Sequence, residues 1–134
     1  MPDHSGLDVE LPRTGCAVAV AREAMRGLCR GGIDGDMLID AELLVSELVT
    51  NALRHGAGQI VLRGGLDADR LMVEVIDEGG GFEHELRRRD FDEVGGWGLC
   101  LVEDLASRWG VHEGTTHVWF ELERPGPRLG PDAT

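Results

Sequence analysis

The residues of this sequence that are best suited to chemistry by type and spacing are Glu47 and Asn51. A carboxylate and a carboxamide stand four residues apart within residues 47–53, a run that is otherwise rich in apolar side chains. Because residues four apart on a helix share one face, we expect both side chains to point into the same space. Any molecule bound there would meet both groups.

Two glycine-rich segments follow this run. Asp77 ends an apolar, β-branched stretch and is followed by three glycines at 79–81, and residues 95–98 read Gly-Gly-Trp-Gly. An acidic residue between a strand and a glycine-rich turn is typical of functional loops. A glycine-rich start of a helix can bind phosphate, although tight turns also need glycine. Neither segment alone distinguishes a site from an ordinary turn.

A nucleotide would use these three places in complementary ways. Backbone N–H groups at the start of a helix over residues 98–107 can hold phosphate oxygens, since the helix dipole favours anions there. Asn51 offers a neutral oxygen to Mg²⁺, which takes its other ligands from phosphates and water. A buried Asp77 carboxylate can accept a hydrogen bond from the exocyclic amine of adenine, which selects adenine over guanine. The chain therefore holds one candidate for each task.

Composition excludes several classes of protein. The formal net charge of −12 argues against a nucleic-acid or anionic-membrane partner, because both need a clustered positive surface. The one dense basic run is at 87–89. All 13 basic residues are arginine, so a phosphate-loop lysine, a kinase strand lysine and a Schiff-base lysine are impossible.

The cysteines and the hydropathy pattern indicate the cellular setting. Cys16, Cys29 and Cys100 are scattered and form no CxxC pair, so neither a disulfide framework nor a zinc site is indicated. The first thirty residues carry several charges and lack the apolar core of a secretory signal. No segment is apolar over the length that a bilayer span needs. We expect a reduced, soluble, cytoplasmic protein.

Hydrophobic periodicity and turn residues predict eight elements. Strands are expected over residues 7–11, 59–63, 70–76, 109–113 and 116–123, and helices over 16–29, 37–55 and from 99 onwards. This order implies an α/β two-layer sandwich, with a mixed, mostly antiparallel sheet covered on one face by helices. We expect one domain over residues 7–123, a charged surface loop over 83–94 and a disordered tail over 124–134.

The second predicted helix carries an apolar stripe beside a polar row. Asp40, Glu47 and Asn51 fall along one flank of that stripe. We therefore expect these three side chains at the edge of the core, where a cleft would lie.

The motif positions, taken together, resemble a known family. The matching residues are Glu47, Asn51, Asp77, Gly79, Gly81, Gly96, Gly98, Leu99, Thr116 and Val118. Their order and spacing are similar to those of the Bergerat (GHKL) ATP-binding fold shared by gyrase, MutL and histidine kinases. The short chain, the run at 45–52 and the ending at 118–122 look most like the small bacterial anti-sigma-factor serine/threonine kinases of the RsbW and SpoIIAB type.

This resemblance implies a role for each matching position. Glu47 would be the general base for the attacking hydroxyl, and Asn51 the Mg²⁺ ligand. Asp77 would bind the adenine amine, supported by a hydrogen bond from Thr116. The remaining positions would make backbone contacts: Gly79 and Gly81 near the base, and Gly96, Gly98 and Leu99 to the phosphates.

The resemblance also implies partners. In such kinases the phosphate acceptor is a serine on a small anti-anti-sigma protein, and the other partner is a sigma factor. Residues 83–94 would correspond to the ATP lid, and a homodimer is common among such proteins.

The sequence departs from the family pattern at Trp97. Many relatives carry an arginine there, so one positive phosphate contact is missing unless Arg87, Arg88 or Arg89 replaces it. Weaker stabilisation of the transition state would slow phosphoryl transfer more than it weakens ATP binding. The rival hypothesis is an ATP-binding regulator without kinase activity that acts by binding a partner. A histidine-kinase core is a third reading, disfavoured because no transducer or phosphoacceptor segment accompanies it.

Overall fold

The computed structural model describes residues 5–30, 33, 35–79, 99–111 and 117–124. Within these ranges the chain forms five strands and three helices in the predicted order. They are β1 (Ser5–Leu11), α1 (Ala17–Cys29), α2 (Gly35–His55), β2 (Ile60–Leu66), β3 (Arg70–Ile76), α3 (Leu99–Leu105), β4 (Arg108–Val111) and β5 (Val118–Glu123). The predicted loop over 83–94 and nearly all of the predicted tail lie outside the described residues.

The strands form one sheet in the order β1-β2-β3-β5-β4. Every neighbouring pair of these strands is antiparallel, so the described sheet is purely antiparallel where we expected a mixed one. A tight turn joins β2 to β3, in which Asp67 Oδ1 accepts hydrogen bonds from the N–H groups of Asp69 and Arg70 at 2.8 and 2.9 Å. An aspartate side chain that mimics a backbone acceptor in this way stabilises a hairpin turn.

One face of the sheet is buried beneath the helices. Along β3 the buried residues alternate with half-exposed ones, and Val73 pairs in register with the fully buried Phe120 of β5. A strand with one covered face shows this alternation because successive side chains point to opposite faces. The two-layer α/β architecture is therefore confirmed.

Helices α1 and α2 pack together over this buried face. Small and apolar residues of α1 recur at helical spacing and are buried: Ala17, Ala21, Met25 and Leu28. At the rim of the α1–α2 interface, Arg26 Nε donates to Glu42 Oε2 at 3.0 Å. Arg22 Nε donates to Ser46 Oγ at 2.7 Å, so charged groups of α1 fix the rotation of α2 about its axis.

Helix α3 lies beside α2 and is joined to β4. Val102 of α3 is fully buried in the common core. The indole Nε1 of Trp109 on β4 donates to Glu103 Oε1 of α3 at 2.8 Å. Helix α2 thus contacts α3 and the central strands β3 and β5 as well as α1.

Candidate nucleotide-binding site

Asn51 is more deeply buried than the sequence predicted. Its side chain is 2% exposed, whereas Glu47, one turn earlier, and Asp40, near the start of the helix, are half-buried. The expectation that all three share the rim of the core is therefore wrong for Asn51. The buried arc of α2 is wider than the apolar stripe because the helix contacts the sheet, α1 and α3, and it also includes Ser46 and Val49.

The amide of Asn51 has unused hydrogen-bonding capacity. Its Nδ2 atom is buried and has no hydrogen-bond partner among the described residues. A buried amide N–H left without an acceptor costs about 1–3 kcal/mol, so most buried amides are paired. Such a group is an unusual component of a core and a normal component of a binding site.

Asp77 lies at the end of β3 and is also buried. Its side chain is 8% exposed, and Oδ1 accepts a hydrogen bond from the N–H of Gly79 at 2.7 Å. Both residues were predicted site residues, and the structure joins them in one tight turn. The carboxylate is held by the backbone that follows it, which fixes the direction in which it accepts further hydrogen bonds.

Gly56, the first residue after α2, lies between the Asp77 side chain and the end of that helix. A Cβ atom at position 56 would lie 2.5 Å from Cγ of Asp77 and 2.8 Å from the carbonyl oxygen of Ala52. Unstrained contacts between carbon atoms need about 3.5–4.0 Å. Only glycine therefore lets the Asp77 carboxylate lie against the last turn of α2, the turn that follows Asn51.

The segment after Gly56 packs equally closely. Gly58 has a φ of +68°, and a Cβ there would lie 2.7 Å from Cδ of Glu78. The N–H of Glu78 donates to the carbonyl oxygen of Ala57 at 2.8 Å. The turn 56–58 and the segment 77–79 therefore form one compact unit, and the run Gly-Ala-Gly after the helix was the signal for it.

The other predicted site residues are not tested by the structure. Gly81, Gly96, Gly98 and Thr116 lie outside the described residues, as do Trp97 and the arginines at 87–89. Leu99 is the first residue of α3. The structure therefore joins Asp77 and Gly79 in one turn beside the end of α2, the helix that carries Asn51 and, one turn before it, Glu47.

Other candidate chemistry is less well supported. Burial raises the pKa of the Cys29 thiol to about 11, which keeps it protonated and unreactive near neutral pH. Among the described residues, no cluster of three or more His, Cys, Asp or Glu side chains could hold a metal ion. None of the described helices is long and apolar enough to cross a membrane.

The fold and the site together define an ATPase-like nucleotide-binding domain. A family model described as the histidine kinase-like ATPase domain matches residues 12–122. The chain belongs to this family, and the predicted resemblance is confirmed.

Several relatives within this family are named serine-protein kinases. RsbW of Bacillus subtilis (strain 168) is 31% identical to this chain, with 96% of this chain and 91% of that protein covered. RsbW of Staphylococcus epidermidis is 29% identical, with coverages of 80% and 79%.

A solved structure shows the same fold. The crystal structure of the RsbU and RsbW domains of Rv1364c from Mycobacterium tuberculosis superposes with a TM-score of 0.65 at 25% identity. The match covers 90% of this chain and 33% of that chain, so this chain spans about a third of it.

Proposed function

We propose that this protein is an ATP- and Mg²⁺-dependent serine kinase that also acts as an anti-sigma factor. It phosphorylates a serine of an anti-anti-sigma partner, and it sequesters a sigma factor when that partner is absent. Membership of the histidine kinase-like ATPase family and relatives named serine-protein kinases support the general activity. The partners are proposed from the resemblance to RsbW-type proteins.

One observation carries the proposal. The buried carboxamide of Asn51 and the buried carboxylate of Asp77 lie on two elements that Gly56 allows to touch. Burying a polar group destabilises a core unless the group is paired, and such groups are common in binding sites, where they orient a ligand. The Asp77 carboxylate is a hydrogen-bond acceptor that suits an exocyclic amine. The side-chain amide of Asn51 suits the Mg²⁺ ion and phosphates of ATP.

Each residue has a distinct part in the proposed reaction. The Glu47 carboxylate orients the serine hydroxyl and accepts its proton as the oxygen bonds to the γ-phosphorus of ATP, while the bond from that phosphorus to the bridging oxygen breaks and ADP leaves. Asn51 would hold Mg²⁺ through its side-chain oxygen, and its buried position beside Glu47 fits that task. When bound, Mg²⁺ neutralises the charge that develops on the phosphate oxygens. The ion's other ligands would be phosphate oxygens and water.

The remaining proposed contacts complete the nucleotide site. Gly79 and Gly81 let the backbone approach adenine, and Thr116 supports Asp77 by a hydrogen bond. Phosphate oxygens accept hydrogen bonds from the backbone at Gly96, Gly98 and Leu99.

The direct test is nucleotide binding followed by transfer. We expect calorimetric titration to show ATP binding that is tighter with Mg²⁺ than with EDTA. Incubation with γ-labelled ATP and a cognate serine-bearing partner should then label the partner. Binding without transfer would support the rival function, an ATP-binding regulator without kinase activity. Failure to bind ATP would contradict both.

A further inference from the structure

Arg13 lies near the start of the sequence and contacts the turn 56–58 that follows α2. In the antiparallel pairing of β1 with β2, Leu11 lies opposite Ile60, so the same register places position 13 opposite position 58. Pro12 ends the strand because it has no N–H to donate. Arg13 therefore leaves β1 directly beside the turn that follows α2.

The guanidinium group of Arg13 binds two carbonyl groups at this end of α2. Its Nε donates to the carbonyl oxygen of Gly58 at 2.8 Å, and its Nη1 donates to that of Leu53 at 3.3 Å. Leu53 lies in the last turn of the helix, where carbonyl groups lack intrahelical partners and the dipole favours a cation. The planar fork of arginine can bind both oxygens at once.

The turn that Arg13 holds is the surface on which Asp77 rests. Gly56 lies against the Asp77 carboxylate, Ala57 accepts a hydrogen bond from Glu78, and Gly58 packs on the Glu78 side chain. A shift of this turn away from the helix end would move Asp77 relative to Asn51. The backbone segment 56–58 therefore connects Arg13 to the Asp77 carboxylate.

We propose that Arg13 is a positioning residue for adenine recognition. It clamps the turn 56–58 to the end of α2, and the clamped turn fixes the Asp77 carboxylate in the direction of the exocyclic amine. This inference rests on the proposed ATP-binding function and adds a specificity determinant that lies far from the nucleotide motifs in sequence. Arg13 itself is exposed, and within the described residues its two hydrogen bonds go to Gly58 and Leu53 rather than to a predicted site residue.

Comparing the affinities for two nucleotides distinguishes a purely structural role of Arg13 from a role in positioning Asp77. ATP carries the amine that Asp77 would bind, and purine riboside triphosphate has hydrogen in its place. In Arg13→Gln we expect ATP affinity to fall about threefold to tenfold, less than the full value of one hydrogen bond from a charged donor, because Arg13 acts on the nucleotide only through the turn. Affinity for purine riboside triphosphate should stay the same, so the preference for ATP falls.

Three further variants complete the experiment. Arg13→Lys should recover part of the preference because an ammonium group can reach one carbonyl but lacks the fork. Arg54→Gln removes an exposed positive charge from the same helix end and should leave the preference intact. Asp77→Asn should reduce the preference at least as much as Arg13→Gln does.

The outcomes are distinct. An equal fall for both nucleotides, or no fall for either, would overturn the positioning role while ATP binding by the unaltered chain still supported the proposed function. Failure of the unaltered chain to bind ATP would overturn the proposed function, and this inference with it. Urea unfolding of each variant checks that the measured chains are folded.

Discussion

Helix α2 carries two acid–polar pairs with the same spacing, Glu42–Ser46 and Glu47–Asn51, and the structure treats them differently. In the first pair, Ser46 Oγ donates to the carbonyl oxygen of Glu42 at 2.6 Å and accepts from Arg22. Hydrogen bonding to Glu42 raises the pKa of Arg26 above its ordinary value. The polar groups of this pair are therefore satisfied by α1.

In the second pair, Glu47–Asn51, one buried polar atom makes no hydrogen bond within the described residues. Ser46 and Asn51 are similarly buried, at 6% and 2%, but of these two side chains it is Asn51 whose amide nitrogen lacks a hydrogen-bond partner among the described residues. Residue type, spacing and burial alone do not separate a structural pair from a functional one. The difference lies in which element faces each pair: an arginine-bearing helix in one case, and the end of a strand with its glycine turn in the other.

The largest expected effect concerns the two glutamates. Glu47→Ala should lower phosphoryl transfer by about 10²–10⁴-fold, the usual contribution of a general base, with ATP affinity nearly unchanged. Glu42→Ala is the matched control and should leave transfer intact, because its carboxylate is engaged with Arg26. Single-turnover transfer from labelled ATP measures both. Unchanged transfer in Glu47→Ala would rule out its assignment as the base.

The next effect concerns the buried amide. Asn51→Leu keeps the shape of the side chain and removes its polar atoms, so Mg²⁺-dependent ATP affinity should fall by about tenfold or more. The free energy of unfolding should not fall and should rise by up to about 1–3 kcal/mol, because an unsatisfied buried group is removed. Calorimetry and urea unfolding give the two quantities. A strongly destabilised variant would show instead that Asn51 is a structural residue.

A glycine substitution tests the contact between α2 and Asp77. Gly56→Ala should destabilise the protein by about 1–3 kcal/mol, because the added methyl group overlaps the Asp77 side chain. ATP affinity should fall as well, since the carboxylate must move.

Gly27→Ala in α1 is the matched control for this substitution. A Cβ there meets nothing within 4 Å, so the change should stabilise the helix by about 1 kcal/mol and leave ATP affinity alone. Thermal unfolding with and without ATP measures both variants. Equal ATP affinity in the two would contradict the role given to Gly56.

The sequence predicts correctly those elements that local patterns determine. The apolar, β-branched run at 70–76 predicted β3, and the helical stripe predicted α2. The burial of Asn51 could not be predicted, because it depends on three elements that converge on one helix face. The roles of Gly56 and Arg13 depend on strand register and on contacts between distant segments, which one-dimensional spacing does not encode.

The smallest effect tests the satisfied pair. Ser46→Ala should lower the free energy of unfolding by about 0.5–1.5 kcal/mol, towards the lower end because the exposed Arg22 can exchange its lost partner for water. ATP affinity should not change. Combining it with Arg22→Gln in a double-mutant cycle isolates the contribution of their hydrogen bond. If Ser46→Ala instead weakened ATP binding as much as Asn51→Leu, the two pairs would be coupled through α2, and the contrast between a structural and a functional pair would fail.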